Sequence, residues 1–275
     1  MSSSITTDKK NSGATRRENA ASKEPANDSP VAPPQIVFGK VLAFDAAKHM
    51  YTWNDQPVPG VTTILQCIAK PMLIQWAAGM ASDYWLAKMK EHQDGLDAQA
   101  IKVIHQEAKT AHRKKAQAAA DIGTNVHDYA ECFFKNKTLP PLMTDQAKRG
   151  VDAFHKWLAA HNVKIKDSER RVFSQMYYYA GTCDFTAEID GENGVGDIKT
   201  SSGIYPEMRM QTAAYQNALE EELNIQYPVR WIVRFDKKSG EFEAKSFRNF
   251  NLDFQGFLAA HKLHQTLKTI EKENK

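Results

Sequence analysis

The chain has 275 residues, 42% of them hydrophobic and 25% charged, with a formal net charge of +3. That composition supplies a soluble core for one large domain or two small ones, so neither disulfides nor structural metal are needed to hold it. No apolar run reaches membrane-spanning length, which excludes an integral membrane protein and a membrane partner. The mild basic excess permits nucleic-acid binding without requiring it.

The first 35 residues are rich in Ser, Thr, Asn, Ala, Pro and Lys, and the first aromatic residue is Phe38. Such a segment buries too little apolar surface to offset its ordering entropy, and residues 1–35 are expected to be a disordered tail. It has no continuous apolar stretch of the secretory kind. Arg16 and Arg17 are offset by Asp8, Glu18, Glu24 and Asp28, against a transit peptide. Cys67, Cys132 and Cys183 are scattered and unpaired in sequence, which fits reduced thiols and a cytoplasmic location.

From residue 36 to 275 we expect one domain, mainly helical over 36–160 and carrying the sheet over 161–275. Residues 36–44 and 50–53 read as short strands. Pro57 to Leu65 reads as a loop entering a helix with Thr62 as N-cap, and free N–H groups there could receive a phosphate, with Thr62 and Thr63 as contacts. Residues 71–135 carry helical periodicity with a break near Asp94 and Gly95. Lys102, Lys109, His112, Arg113, Lys114 and Lys115 gather basic charge there against Glu107 alone. That run is either a solvated helix face or a face toward DNA, with Arg113, Lys114 and Lys115 as candidate contacts. A further amphipathic helix is expected over 144–161. After it come strands at 170–179, 182–190, 195–200, 228–236 and 241–247, with helices at 205–223 and 252–272. The fold class is α/β: a central mixed sheet flanked by helices, with an N-terminal helical layer. Trp76, Trp85, Trp157 and Trp231 fall in amphipathic or strand patterns and are expected in the core.

The chemistry concentrates in Gly181-Thr182-Cys183-Asp184 and Gly196-Asp197-Ile198-Lys199-Thr200, separated by the turn Gly191-Glu192-Asn193-Gly194. A hairpin closed about Glu192 and Asn193 sets Glu188 opposite Asp197, Thr186 opposite Lys199 and Asp184 opposite Ser201. Asp184, Asp197 and Lys199 then share one sheet face. Two carboxylates converging with a lysine call for a cation, and hard oxygen ligands suit Mg²⁺ or Mn²⁺. Asp-x-Lys alone is common and would otherwise read as an exposed ion pair.

Taken with Gln211-x-x-x-Tyr215 downstream and Gly123-Thr124-Asn125-Val126-His127 upstream, this pattern resembles the PD-(D/E)XK nuclease superfamily in its RecB-like branch. Pro59 to Leu65 is similar to a segment of the mitochondrial genome maintenance exonuclease and related bacteriophage exonucleases, with Gly60 where serine is expected. The resemblance runs in order over roughly residues 50–220. It implies a restriction-endonuclease-like core and a Mg²⁺- or Mn²⁺-dependent DNA exonuclease acting on single strands or duplex ends. Replication, recombination or repair would be its setting, with a phage or prophage source and a recombination or replication protein as partner. It further implies His127, Asp184, Asp197 and the Ile198 carbonyl as metal ligands and Lys199 as catalytic. Gln211 and Tyr215 would support the site or contact DNA, and Thr200 and Ser201 are candidate DNA contacts. Glu169 and Glu131 are further acidic candidates, Glu131 one helical turn beyond His127. Some RecB-like nucleases carry an iron–sulfur cluster; no cysteine follows Cys183, so none is expected. An endonuclease with the same site and an inactive DNA-binding recombination accessory are the competing readings.

Overall fold

The computed structural model describes residues 35–92 and 95–274, so the expected tail lies outside the described residues except for Gln35. Fifteen elements follow in chain order among the described residues. Strands β1 (Gln35–Val37), β2 (Lys40–Asp45), β3 (Met50–Trp53) and β4 (Gln56–Val58) form an antiparallel meander. Two strands were expected here. Phe38 and Gly39 take left-handed backbone and split the first, and Asn54 and Asp55 do the same between β3 and β4.

Helix α1 (Val61–Leu65) starts at Gly60, not at Thr62, and Gly60 offers no side-chain cap. A Cβ at Gly60 would stand 3.2 Å from the Tyr51 ring, which accounts for a glycine where serine is expected. Helices α2 (Pro71–Glu91) and α3 (Ala98–Phe134) follow, and the expected break falls between them. Asp97 caps α3, its side chain accepting from the Ala100 amide at 2.7 Å. α2 packs principally against α3 and buries none of its own residues fully. Trp76 on α2 is therefore 38% exposed, correcting its assignment to the core, whereas Trp157 is fully buried. Thr144 caps α4 (Asp145–Ala160).

The second sheet has the order β5-β6-β7-β8-β9: β5 (Val163–Ser174), β6 (Tyr179–Ile189), β7 (Glu192–Lys199), β8 (Val229–Phe235) and β9 (Phe242–Phe247). β7 and β8 run parallel and the other neighbours antiparallel, so the sheet is mixed as expected. Between β7 and β8 the chain crosses through α5 (Pro206–Leu223), and α6 (Phe250–Glu273) closes it. On one face Val126, Ala130, Phe154 and Trp157 of α3 and α4 pack on Phe185, Ile198, Val233 and Phe235. On the other, Val61, Tyr215, Leu219 and Phe257 of α1, α5 and α6 pack on Val172, Tyr179 and Val195. Helices thus cover both faces, and the strands read as nearly continuous apolar runs, as doubly covered strands do. No described helix is long and apolar enough to cross a membrane.

The β6–β7 hairpin differs from the expected register. It turns on Asp190 and Gly191, both left-handed, and pairs Ile189 with Glu192 and Phe185 with Gly196. Asp-Gly is a strong two-residue turn signal, and it displaces the expected turn at Glu192 and Asn193. The partner of every β6 residue moves by four positions. An even shift leaves the facing of alternate residues unchanged.

Candidate active site

The β6–β7 ladder ends at Phe185 and Gly196, after which β6 continues against β5 and β7 against β8. Gly196 is required there, since a Cβ would fall 1.9 Å from the Phe185 ring. Where the strands part, the Ile198 amide loses its ladder partner. Asp184 Oδ2 accepts that hydrogen bond at 2.7 Å, which fixes the carboxylate at the fork.

His127 comes to the same fork from α3, with Nδ1 3.6 Å from Asp184 Oδ2. Glu169 comes from β5, where its φ of 53° departs from strand geometry. A left-handed glutamate within a strand is costly, and here it turns the side chain toward Asp184. One ligand atom each from His127, Glu169 and Asp184 lie within 4.8 Å of one another. These three, with Gly123, Asp128 and Glu131, border an open cleft of about 380 Å³. Glu131 is held by Lys135 at 2.9 Å and Lys137 at 3.4 Å. Gly123 keeps the helix close to the strand end, since a Cβ there would lie 2.9 Å from Thr200 Oγ1.

Asp197 and Lys199 stand two residues apart on β7 and pair at 2.5 Å through Asp197 Oδ2. Asp197 is fully buried and Lys199 20% exposed, and neither Asp197 oxygen makes a hydrogen bond of ordinary geometry. Asp197 is not one of the three converging ligands; its carboxylate is engaged by Lys199.

The charges explain one another. Burial pushes the Glu169 carboxyl up to about 8, and the neighbouring Asp184 charge adds to it. Burial also raises Asp184, against the pull of Lys199, and lifts Asp197 to about 6. Burial lowers His127 to about 4, with Lys199 adding to that effect and Asp197, Asp128 and the Ile198 carbonyl opposing it. Burial alone would lower Lys199, but Asp197 and Asp184 outweigh it and its pKa is raised. A neutral imidazole with a free lone pair, two crowded carboxyls and a permanent ammonium result. A hard divalent cation fits this donor set, since its charge would offset the burial and the Asp184 repulsion that together raise Glu169.

Tyr215 is buried against Gly181, and its hydroxyl accepts from Gln211 Nε2 at 2.8 Å. Gln211, half-buried, borders a second, largely apolar cleft with Thr62, Lys70 and Glu207. Lys70 and Glu207 pair across it at 2.8 Å. Thr62 is exposed, 3.4 Å from His49 Nε2, and Thr63 is half-buried. Arg113 and Lys114 are exposed on α3, on the order of 20 Å along the helix from His127 at 1.5 Å per residue. Lys115, Thr200 and Ser201 border another cleft, described below. Sequence reasoning missed Asp128, the neighbour of His127, and the basic turn Lys237-Lys238. It also missed Tyr51, whose hydroxyl meets Thr182 Oγ1 at 2.9 Å and is pushed up to about 12 by burial.

No protein-family model and no curated protein matches the chain. Among solved structures it is similar to an alkaline exonuclease, LHK-Exo, from Laribacter hongkongensis, at 12% identity and a TM-score of 0.31, over 57% of this chain and 92% of that one. The structure of LHK-Exo in complex with dAMP gives 12% identity and a TM-score of 0.28, over 55% and 86%. These scores are too low to carry an activity across, and the chemistry rests on the side chains themselves.

Proposed function

We propose that this chain is a divalent-metal-dependent nuclease of the PD-(D/E)XK type that hydrolyses DNA phosphodiester bonds. The supporting observation is the convergence of His127, Glu169 and Asp184 within 4.8 Å, beside the buried Asp197–Lys199 pair. A phosphodiester would otherwise be repelled by so many carboxyls, so an acidic cluster makes sense at a site that brings a cation and phosphate together.

Mg²⁺ or Mn²⁺, when bound, supplies polarisation of the phosphate and acidification of the attacking water. His127, Glu169 and Asp184 would hold it; the sequence resemblance implies Asp197 and the Ile198 carbonyl as further ligands, and Asp197 would join only by giving up its pairing with Lys199. His127 offers a ring nitrogen because burial keeps it neutral. The Lys199 ammonium, held charged by Asp197 and Asp184, would meet the charge that grows on the phosphate oxygens. Tyr215 fixes the Gln211 amide, leaving the Gln211 carbonyl and its second amide proton for substrate. Asp184 is held by a backbone amide, which restricts its movement as substrate enters.

The choice of exonuclease over endonuclease follows the sequence resemblance. End-labelled single- and double-stranded DNA, and closed circular single strands, are digested with Mg²⁺, Mn²⁺ or EDTA by wild type, Asp197→Ala and Lys199→Ala. The reading requires metal-dependent cutting that both variants lose, with the circle surviving. A cut circle replaces exonuclease by endonuclease. A wild type that binds DNA yet cuts it with neither metal overturns the nuclease reading in favour of a binding accessory.

A further inference from the structure

Past Lys199 the chain runs straight into Thr200-Ser201-Ser202, and these residues form a wall of a separate cleft of about 480 Å³. That size lies within the range of roughly 300–1,000 Å³ usual for ligand pockets. Its other walls come from four distant elements: Lys115 on α3, Gln146 on α4, Lys237 and Lys238 in the β8–β9 turn, and Trp76 on α2. Asp236 is the one carboxylate among the described residues that border it. Its charge is taken up by Arg234 at 3.2 Å, and its Oδ1 accepts from the Lys238 amide at 2.8 Å. Lys237 is anchored, its ammonium donating to the Ala119 carbonyl at 2.9 Å. The balance in the cleft is therefore cationic, and several hydroxyls line it.

Trp76 is the unusual component. It packs edgewise on His112, with ring centroids 6.4 Å apart at 88°, and stays 38% exposed. An exposed indole beside ammonium groups and hydroxyls matches a ligand that is flat and apolar at one end and anionic at the other. A nucleobase stacks on an aromatic face, phosphates meet lysines, and hydroxyls bond phosphate or sugar oxygens. Stacking of this kind needs a base with a free face, which a paired duplex does not offer.

We propose that this cleft is a subsite for one nucleotide of a single strand, the base on Trp76 and its phosphate among Lys115, Lys237 and Lys238. The subsite deepens the nuclease reading and rests on it for its purpose: it would hold the strand on the Thr200 side of Lys199 while the adjoining phosphate is cut. The residues sit on separate elements that the fold alone brings together, so no short sequence motif marks them.

Binding is measured in EDTA, without turnover, using the full chain and a fluorescein-labelled ten-residue oligothymidylate. Trp76→Ala should weaken binding by roughly 5- to 150-fold, the usual worth of one base–aromatic stack. Trp76→Phe should recover most of that loss, because a phenyl ring still stacks. Lys115→Ala and Lys238→Ala should each lower the slope of log affinity against log salt by about 0.7, the signature of one lost phosphate contact on a single strand. The subsite is overturned by a wild type without measurable binding, by Trp76→Ala within twofold of wild type, or by unchanged salt slopes. A chain that binds through Trp76 but never cuts DNA sinks the nuclease reading alone. A chain that cuts DNA while Trp76→Ala binds normally sinks the subsite alone.

Discussion

Glu169→Gln isolates the group on which metal loading should depend most steeply with pH. Burial and the Asp184 charge place the Glu169 carboxyl at about 8. At pH 7 that leaves about ten protonated chains for each ionised one, and expelling the proton costs about 1.4 kcal/mol, a tenfold loss of apparent metal affinity. Calorimetric titration of Mn²⁺ in buffers of different ionisation enthalpy counts the protons released. At pH 7 wild type should release close to one more proton per metal than Glu169→Gln. Its apparent affinity should rise about tenfold per pH unit below 8, a component that the variant lacks. The sign for stability runs the other way. Folding raises this pKa from 4.5, so between 4.5 and about 8 the native chain binds more protons than the unfolded one. Metal-free stability from this group is fully present below pH 4.5 and is lost as pH rises to 8, and metal should reverse the trend. Equal proton release from wild type and variant would refute the reasoning, because Glu169 would then be no ligand or already ionised.

Lys199→Met should cut the rate of DNA hydrolysis by roughly 10²–10³-fold, as loss of one transition-state charge partner does. It should also raise the Asp197 pKa above about 6, because Lys199 is the strongest influence lowering it; NMR titration of the carboxyl checks this. Gly196→Ala forces a Cβ 1.9 Å from the Phe185 ring and should destabilise the fold by about 1–3 kcal/mol, read by urea unfolding. A variant as stable as wild type would mean that the fork tolerates a wider opening. Arg230→Met leaves the buried Asp253 carboxylate, which Arg230 meets at 2.8 Å, to Arg209 alone at 2.9 Å. It should destabilise by less than the roughly 3–5 kcal/mol of a fully broken buried pair, and the double replacement Arg230→Met with Asp253→Leu should recover much of the loss.

The mixed sheet and the helices flanking it were legible because apolar periodicity and Pro, Gly and Asp punctuation mark elements locally. β5 starts at Val163, seven residues before its expected start, because its first half alternates with Lys164 and Lys166 and lies at the solvated rim. The hairpin register was misread because two Gly-containing turns compete over four residues, and only backbone conformation decides between them. The facing of Asp184, Asp197 and Lys199 was inferred from alternation, and an even shift leaves that alternation intact. Glu169 stood out less, since an acid before an apolar strand is ordinary. What brings it to His127 is a left-handed backbone that no propensity for glutamate suggests. Trp76 was assigned to the core because amphipathic spacing cannot tell a helix packed on a domain from one packed mainly on a single neighbour.

The hydrogen bond from the Ile198 amide to Asp184 ties a ladder position to a side chain instead of a strand. Any event that draws the Asp184 oxygens toward a new charge must weaken or tighten that one bond, while Asp197 and Lys199 on either side keep their pairing to β8. The exchange rate of the Ile198 amide with solvent deuterium therefore becomes a built-in gauge of occupancy. One labelled nitrogen in the spectrum would follow loading and release without a dye, a tag or a turnover assay.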